Sequence, residues 1–287
     1  MAEDKVQQQR FELKYRVSAQ TALEIRDFVS AYLEPDEYSV GKPNYSYPIH
    51  SLYLDSDDLR LYWDVINSNK NRYKLRLRYY DDDPASPVFP EIKRRVNDAI
   101  LKQRCAVRRE AIPRLLAGQL PDPEHMLSNK PQHVAAVQEF CRRMLDLRAS
   151  PKTHVAYLRE AWVTPDSNAV RVCLDRQICS VPQLTPELTT HMENPVMPFE
   201  PDVILELKFT GRFPNWFRTL TETFGLTQCS AAKYADGVAE IEERQHYDPG
   251  LESTPPLAPE TLRLNREDLL ERYLERRRRL RNQAGSR

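Results

Sequence analysis

Six short segments of the chain alternate strictly between charged and apolar residues, the period of a strand with two chemically different faces. The first, Arg10 to Val17, sets Arg10, Glu12, Lys14 and Arg16 on one face and Phe11, Leu13, Tyr15 and Val17 on the other. Tyr73 to Tyr79 opposes Lys74, Arg76 and Arg78 to Tyr73, Leu75, Leu77 and Tyr79. In Phe89 to Arg95, Glu91, Lys93 and Arg95 share a face, and Tyr157 shares one with Arg159 around Val155 to Ala161. Val170 to Leu174 isolates Arg171 from Val170, Val172 and Leu174, and Val203 to Phe209 separates Glu206 and Lys208 from Val203, Leu205, Leu207 and Phe209. Residues 46–54 predict a further strand. Helical spacing appears at Ser18 to Leu33, where Ser18 is placed to cap and Pro35 to stop the helix, and again at Pro131 to Leu147 and Pro214 to Phe224.

Runs of strands with interspersed helices predict an α+β fold rather than a parallel α/β sheet. A basic face on one strand is ordinarily its solvent side. Here arginine recurs two residues apart on several strands with few hydroxyls between, and two cations about 6 Å apart repel by roughly 3 kcal/mol at an effective dielectric near 20. A closed antiparallel β-barrel resolves this: charged faces point into a lumen that receives an anion, and apolar faces pack outward against the helices. Arginine's planar fork and lysine's mobile charge suit phosphate. Among them, Glu206 is best explained as the ligand of a divalent metal that also touches the phosphates, with a salt bridge to a neighbouring cation as the alternative.

Composition narrows the field. The chain has 287 residues, a formal net charge of zero and 40% apolar residues, so no whole-protein field advertises a nucleic acid, and none is expected as partner. Seven glycines and neither common glycine-rich phosphate loop leave side chains to bind any phosphate. No transmembrane segment and no secretory signal is evident, which predicts a cytoplasmic protein, with peripheral attachment at the inner membrane face left open. Five scattered cysteines read as reduced structural thiols, and the six histidines show no shared metal-ligand spacing; His50, beside the Ser51 strand, is the one worth testing. Asp81 to Asp83, followed by Pro84, reads as a solvated turn. The chain divides into a barrel domain over 1–245, a Pro-rich linker over 246–260 and a basic amphipathic helix over 261–287 that ends in Arg276 to Arg279.

Seven motifs in order resemble the VTC domain, the polyphosphate polymerase module of the vacuolar transporter chaperone complex, in the triphosphate tunnel metalloenzyme superfamily. They are Arg10 to Tyr15, Ser51 to Asp55, Lys74 to Tyr79, Glu91 to Lys93, Val170 to Asp175, Leu205 to Phe209 and Ser230 to Tyr234. The resemblance implies transfer of the ATP γ-phosphoryl group to phosphate or polyphosphate with Mn²⁺ or Mg²⁺ in the tunnel. It also implies phosphate binding by Lys14, Arg76, Arg78, Lys93, Arg159, Arg171 and Lys233, substrate contacts from Tyr157, Lys208 and Ser230, and Glu206 on the metal. The tunnel triphosphatases begin Glu-x-Glu-x-Lys, whereas Arg10 stands at the first of those carboxylates here, which tilts the expectation from hydrolase to polymerase. An inorganic triphosphatase or polyphosphatase of the same fold, and a noncatalytic polyphosphate-binding module, are the alternatives. Export of product would require a separate membrane-protein partner.

Overall fold

Every alternating segment is a strand in the computed structural model, which describes residues 10–247 apart from positions 98 and 166. The strands are β1 (Arg10–Val17), β2 (Glu34–Pro35), β3 (Ser46–Asp55), β4 (Asn71–Tyr79), β5 (Phe89–Val96), β6 (Ala99–Arg104), β7 (Ser150–Val163), β8 (Val170–Pro182) and β9 (Val203–Thr210). They run β7-β3-β4-β5-β6-β1-β9-β8, and β8 returns to β7, so eight antiparallel strands close on themselves while the two-residue β2 adds to β7. Closure leaves each barrel strand a neighbour on both sides. Register then aligns the charged faces: Glu12 opposes Lys208, Lys14 opposes Glu206, Arg76 opposes Glu91 and Arg159 opposes Asp175.

Helices follow the same economy of apolar surface: α1 (Ala19–Ser30), α2 (Arg60–Ile66), α3 (Ile112–Leu116), α4 (Pro131–Leu147), α5 (Asn215–Thr223) and α6 (Lys233–Tyr247). The Ser18 hydroxyl accepts from the Thr21 N–H at 3.0 Å, capping α1 as expected. Ala22, Ile25 and Val29 of α1, with Phe217 and Leu220 of α5, cover the outward residues Leu205, Leu207, Val172 and Leu174. On the other side Val137, Phe140 and Met144 of α4 cover Leu75, Leu77 and Ile92.

The sixth helix behaves differently. Ala231, Tyr234, Ala235 and Val238 pack on Tyr53, Val155, Tyr157, Ile178 and Ile204, which share strand faces with the charged residues. Helix α6 is thus seated across one end of the barrel, with Tyr234 stacked on Tyr53 at 4.8 Å. Gly237 permits this approach, since a Cβ there would lie 2.3 Å from Ser180 Oγ. Asp55 ties the end together. Its carboxylate accepts from the backbone N–H groups of Ser56 (2.8 Å), Leu61 (2.9 Å) and Tyr62 (3.0 Å) and from the Tyr234 hydroxyl (2.7 Å). It serves as the cap that α2 lacks at Leu59, a residue in left-handed conformation with no capping side chain. Asp55→Ala would leave those buried donors unpaired and is expected to cost about 4 kcal/mol, read from urea unfolding; a loss under about 1 kcal/mol would show that the helix end is held by other means.

Of the linker expected over 246–260, positions 246 and 247 end α6, and the rest of it, with the basic C-terminal helix expected over 261–287, lies outside the described residues. Among the described residues no helix is long and apolar enough to cross a membrane.

Candidate active site in the barrel lumen

The centre of the lumen is a carboxylate held by four cations. Glu206 Oε2 accepts from Lys208 Nζ (2.5 Å) and Arg159 Nη2 (3.0 Å), while Oε1 accepts from Lys233 Nζ (2.9 Å) and lies 3.7 Å from Lys14 Nζ. Burial alone would raise the Glu206 carboxyl, but Lys208, Lys233 and Arg159 outweigh it and hold the group well below the ordinary carboxylate range. Asp175 shares this arrangement, bound by both forks of Arg159 at 2.7 Å and by Lys233 at 2.6 Å. Lys233 reaches in from the first turn of α6, so the helix that covers the end also supplies a lumen cation.

Glu12 is the second candidate metal ligand. It pairs with Lys93 at 2.9 Å, and Lys14 Nζ bridges it to Glu206 at 3.4 and 3.7 Å. In the ligand-free lumen the oxygens of both carboxylates are taken by lysines and Arg159, so they would hold a hard divalent cation only together with phosphate oxygens that draw those side chains away. The more tightly grouped trio Asp122, Glu124 and His125 lies at the surface, away from the lumen.

A second cluster surrounds Glu91, which is wholly buried. Arg76 binds it at 2.6 Å, Lys102 lies at 3.4 Å, Arg104 at 3.5 Å and Arg78 at 4.0 Å. Here positive charge exceeds its partners. Among the described residues Lys74 has no ion pair or hydrogen bond, and Arg78 Nε is buried without an acceptor. Burial, with Lys14, Lys93 and Arg76 nearby, pulls the Lys74 ammonium down to about 8 against some support from Tyr53. Burial pushes the Tyr53 phenol up, yet Arg76, Lys74 and Arg78 more than reverse this and bring it down to about 7. A phenol drawn toward its anion marks a lumen short of negative charge.

The structure brings Lys14, Arg76, Arg78, Lys93, Arg159, Arg171, Lys208, Lys233, Tyr157 and Glu206 to the lumen. Ser230 is exposed, next to Ala231, whose carbonyl accepts from Lys14 at 2.6 Å. Part of the counter-charge expected from a ligand is supplied internally, by Glu12, Glu91, Asp175 and Glu206, and by Asp36, which binds Arg171. Sequence reasoning passed over Lys74, although it lies on a recognised alternating face. It also missed Lys102 and Arg104 on β6, where exposed Leu101 and Gln103 blur the alternation. Cys173 opposes Glu206 in the lumen, 3.4 Å from Lys208 Nζ; burial would raise its thiol, but Lys208, Arg159 and Arg171 lower it. His50 does not join the site: it lies with His154 on the outer face, their ring nitrogens 3.1 Å apart.

A family profile described as the VTC domain matches residues 9–241. Among solved structures, the chain is similar to a protein of Pyrococcus horikoshii OT3, at 10% identity over 82% of this chain and 99% of that one, with a TM-score of 0.40. It is also similar to a candidate adenylate cyclase of Vibrio parahaemolyticus, at 11% identity over 80% of this chain and 97% of that one, with a TM-score of 0.39. No curated protein matches the chain.

Proposed function

The chain belongs to the VTC-domain family, and on that premise we propose that it is an ATP-dependent polyphosphate polymerase, which moves the γ-phosphoryl group of ATP onto phosphate or a growing polyphosphate chain inside the lumen. The observation that carries the reading is the unmatched positive charge at Lys74, with the Arg78 Nε that lacks an acceptor, in the same lumen as the carboxylate pair Glu12 and Glu206. A chain of phosphates supplies what those donors lack, and the carboxylates provide a place for a cation between phosphate oxygens.

In this reading Arg76, Arg78, Lys93, Arg159, Arg171 and Lys233 hold the phosphates in line, with Lys14, Lys208 and Tyr157 completing the wall. The acceptor is a phosphate oxygen that is already ionised, so no general base is required. Positioning and charge neutralisation provide most of the catalysis in phosphoryl transfer. Glu206, with Glu12, would hold Mn²⁺ or Mg²⁺, which when bound offsets charge on the transferring group. As the oxygen bridging the β- and γ-phosphorus atoms takes up negative charge, the fixed guanidinium groups stabilise it without reorganising. Product export, if it occurs, falls to a separate membrane protein, and the chain itself acts in the cytoplasm.

One observation favours a second reading, an inorganic triphosphatase. Glu12 and Glu206 lie close enough for one lysine to bridge them, so two carboxylates remain for a hydrolytic metal despite Arg10.

Incubation of the purified chain with ATP and Mn²⁺, followed by a polyphosphate gel, separates these readings. A ladder of chains is the expected result. Free phosphate without a ladder would establish the triphosphatase, and tight polyphosphate binding without turnover would leave a binding module. Tripolyphosphate at about 100 times its Kd should add about 2.7 kcal/mol of stability, a melting shift on the order of 5–10 °C.

A further inference from the structure

We propose that the lumen mouth opposite α6 carries a stacking platform, built on Tyr38 with Tyr47, Tyr80 and Phe89, that takes the base of a nucleoside triphosphate while its phosphates enter the lumen. This rests on the lumen reading above and deepens it: it names the residues by which the entrance would tell a nucleotide from an inorganic chain.

The position of the mouth follows from register. Helix α6 covers Ile204 at the start of β9 and Ile178 in the later part of β8. The opposite end therefore holds Thr210 paired with Arg10, Arg171 paired with Val163, and the start of β3. The segment 36–45 between β2 and β3 lies at this end, held by the Asp36 N–H to the Ala161 carbonyl at 2.9 Å and by the Ala161 N–H to Ser39 Oγ at 3.2 Å.

Tyr38 projects from that segment, 59% exposed, with its ring 5.8 Å from Tyr47. It is also close enough to Tyr80 and Arg104 to couple electrostatically to both, although these stand at the ends of β4 and β6, across the mouth from β2 and β7. There Tyr80 meets Phe89 edge to face at 5.9 Å, and the Arg104 guanidinium lies 4.4 Å over the Phe89 ring. The platform adjoins the phosphate wall, since the Tyr47 hydroxyl is 3.3 Å from Arg171 Nη2.

A lone exposed tyrosine needs no explanation. Four rings with an arginine around the entrance of a cationic lumen do, because an inorganic phosphate chain gains nothing from an aromatic face, whereas a nucleobase stacks on one whatever its identity.

The test compares ATP with tripolyphosphate by calorimetric titration of the full chain, in wild type, Tyr38→Ala and Tyr38→Phe. Loss of one stacking ring is expected to weaken ATP about tenfold. Tripolyphosphate affinity should hold, which also shows that the fold is intact, and Tyr38→Phe should restore ATP because a ring without the hydroxyl still stacks. An unchanged ratio of ATP to tripolyphosphate affinity in Tyr38→Ala overturns the platform. Wild-type protein that binds tripolyphosphate but not ATP overturns it as well, and with it ATP as the donor, while leaving phosphate binding in the lumen and the triphosphatase reading in place. Failure to bind either anion overturns the lumen reading, and the platform with it.

Discussion

Glu206→Gln is expected to reduce phosphoryl transfer by about a thousandfold while tripolyphosphate binding persists or tightens. The carboxylate is 4% exposed and ionised under all working conditions, because Lys208, Lys233 and Arg159 more than reverse the effect of burial. Glutamine keeps the shape but removes the charge. Two consequences of opposite sign follow at one position. The lumen becomes more positive, which favours a polyanion, and it loses the central carboxylate available to a divalent cation, which disfavours turnover. A substitution that only damaged the fold would lower both quantities together. Measuring chain synthesis and tripolyphosphate affinity on the same preparation separates these cases. Turnover within about tenfold of wild type would remove Glu206 from the metal role.

Much of this site was legible because period-2 patterning on a closed sheet states both where a residue is and what it faces. Glu12, Lys14, Arg76, Arg78, Lys93, Arg171, Glu206 and Lys208 could all be assigned to one interior from their parity on strands. What parity cannot show is how charges on different strands pair. The bonds of Asp175 to Arg159 and of Asp36 to Arg171 depend on barrel register and on a loop, so much of the internal neutralisation was invisible. Helix α6 was overlooked for a related reason. The segment 233–247 has an apolar stripe that would suit any outer surface, and only contact with Tyr53, Ile178 and Ile204 shows that it covers a barrel end. Strand β6 was overlooked because apolar Ile100 shares the inward face with Lys102 and Arg104 while polar Gln103 stands beside exposed Leu101 on the outer face, so its sequence does not alternate cleanly.

Lys74→Met should make the ligand-free protein more stable and its polyphosphate complex weaker, the signature of a cation kept for a ligand rather than for the fold. Lys74 is half-buried, has no counter-charge among the described residues, and has Lys14, Lys93 and Arg76 for neighbours. Methionine removes that repulsion at similar length, for a gain of about 1–2 kcal/mol at neutral pH after allowing for solvent in the lumen. The pH dependence fixes the sign independently. A lysine whose folded value is lowered from 10.5 to about 8 binds fewer protons in the folded than in the unfolded chain between those limits, so stability rises with pH there. Below about 8 the ammonium is charged in both states and the repulsion persists in full. Tyr53 and Lys102, both brought down to about 7, act in the same sense from a lower pH. Urea unfolding of the ligand-free protein should therefore show stability climbing from about pH 7 to pH 9, less steeply in Lys74→Met and nearly flat with tripolyphosphate bound. Tripolyphosphate affinity should fall on the order of tenfold in the variant, the loss of one charge-assisted contact. A variant less stable than wild type would mean that Lys74 already serves the ligand-free fold, and the unmatched charge on which the polymerase reading rests would not exist.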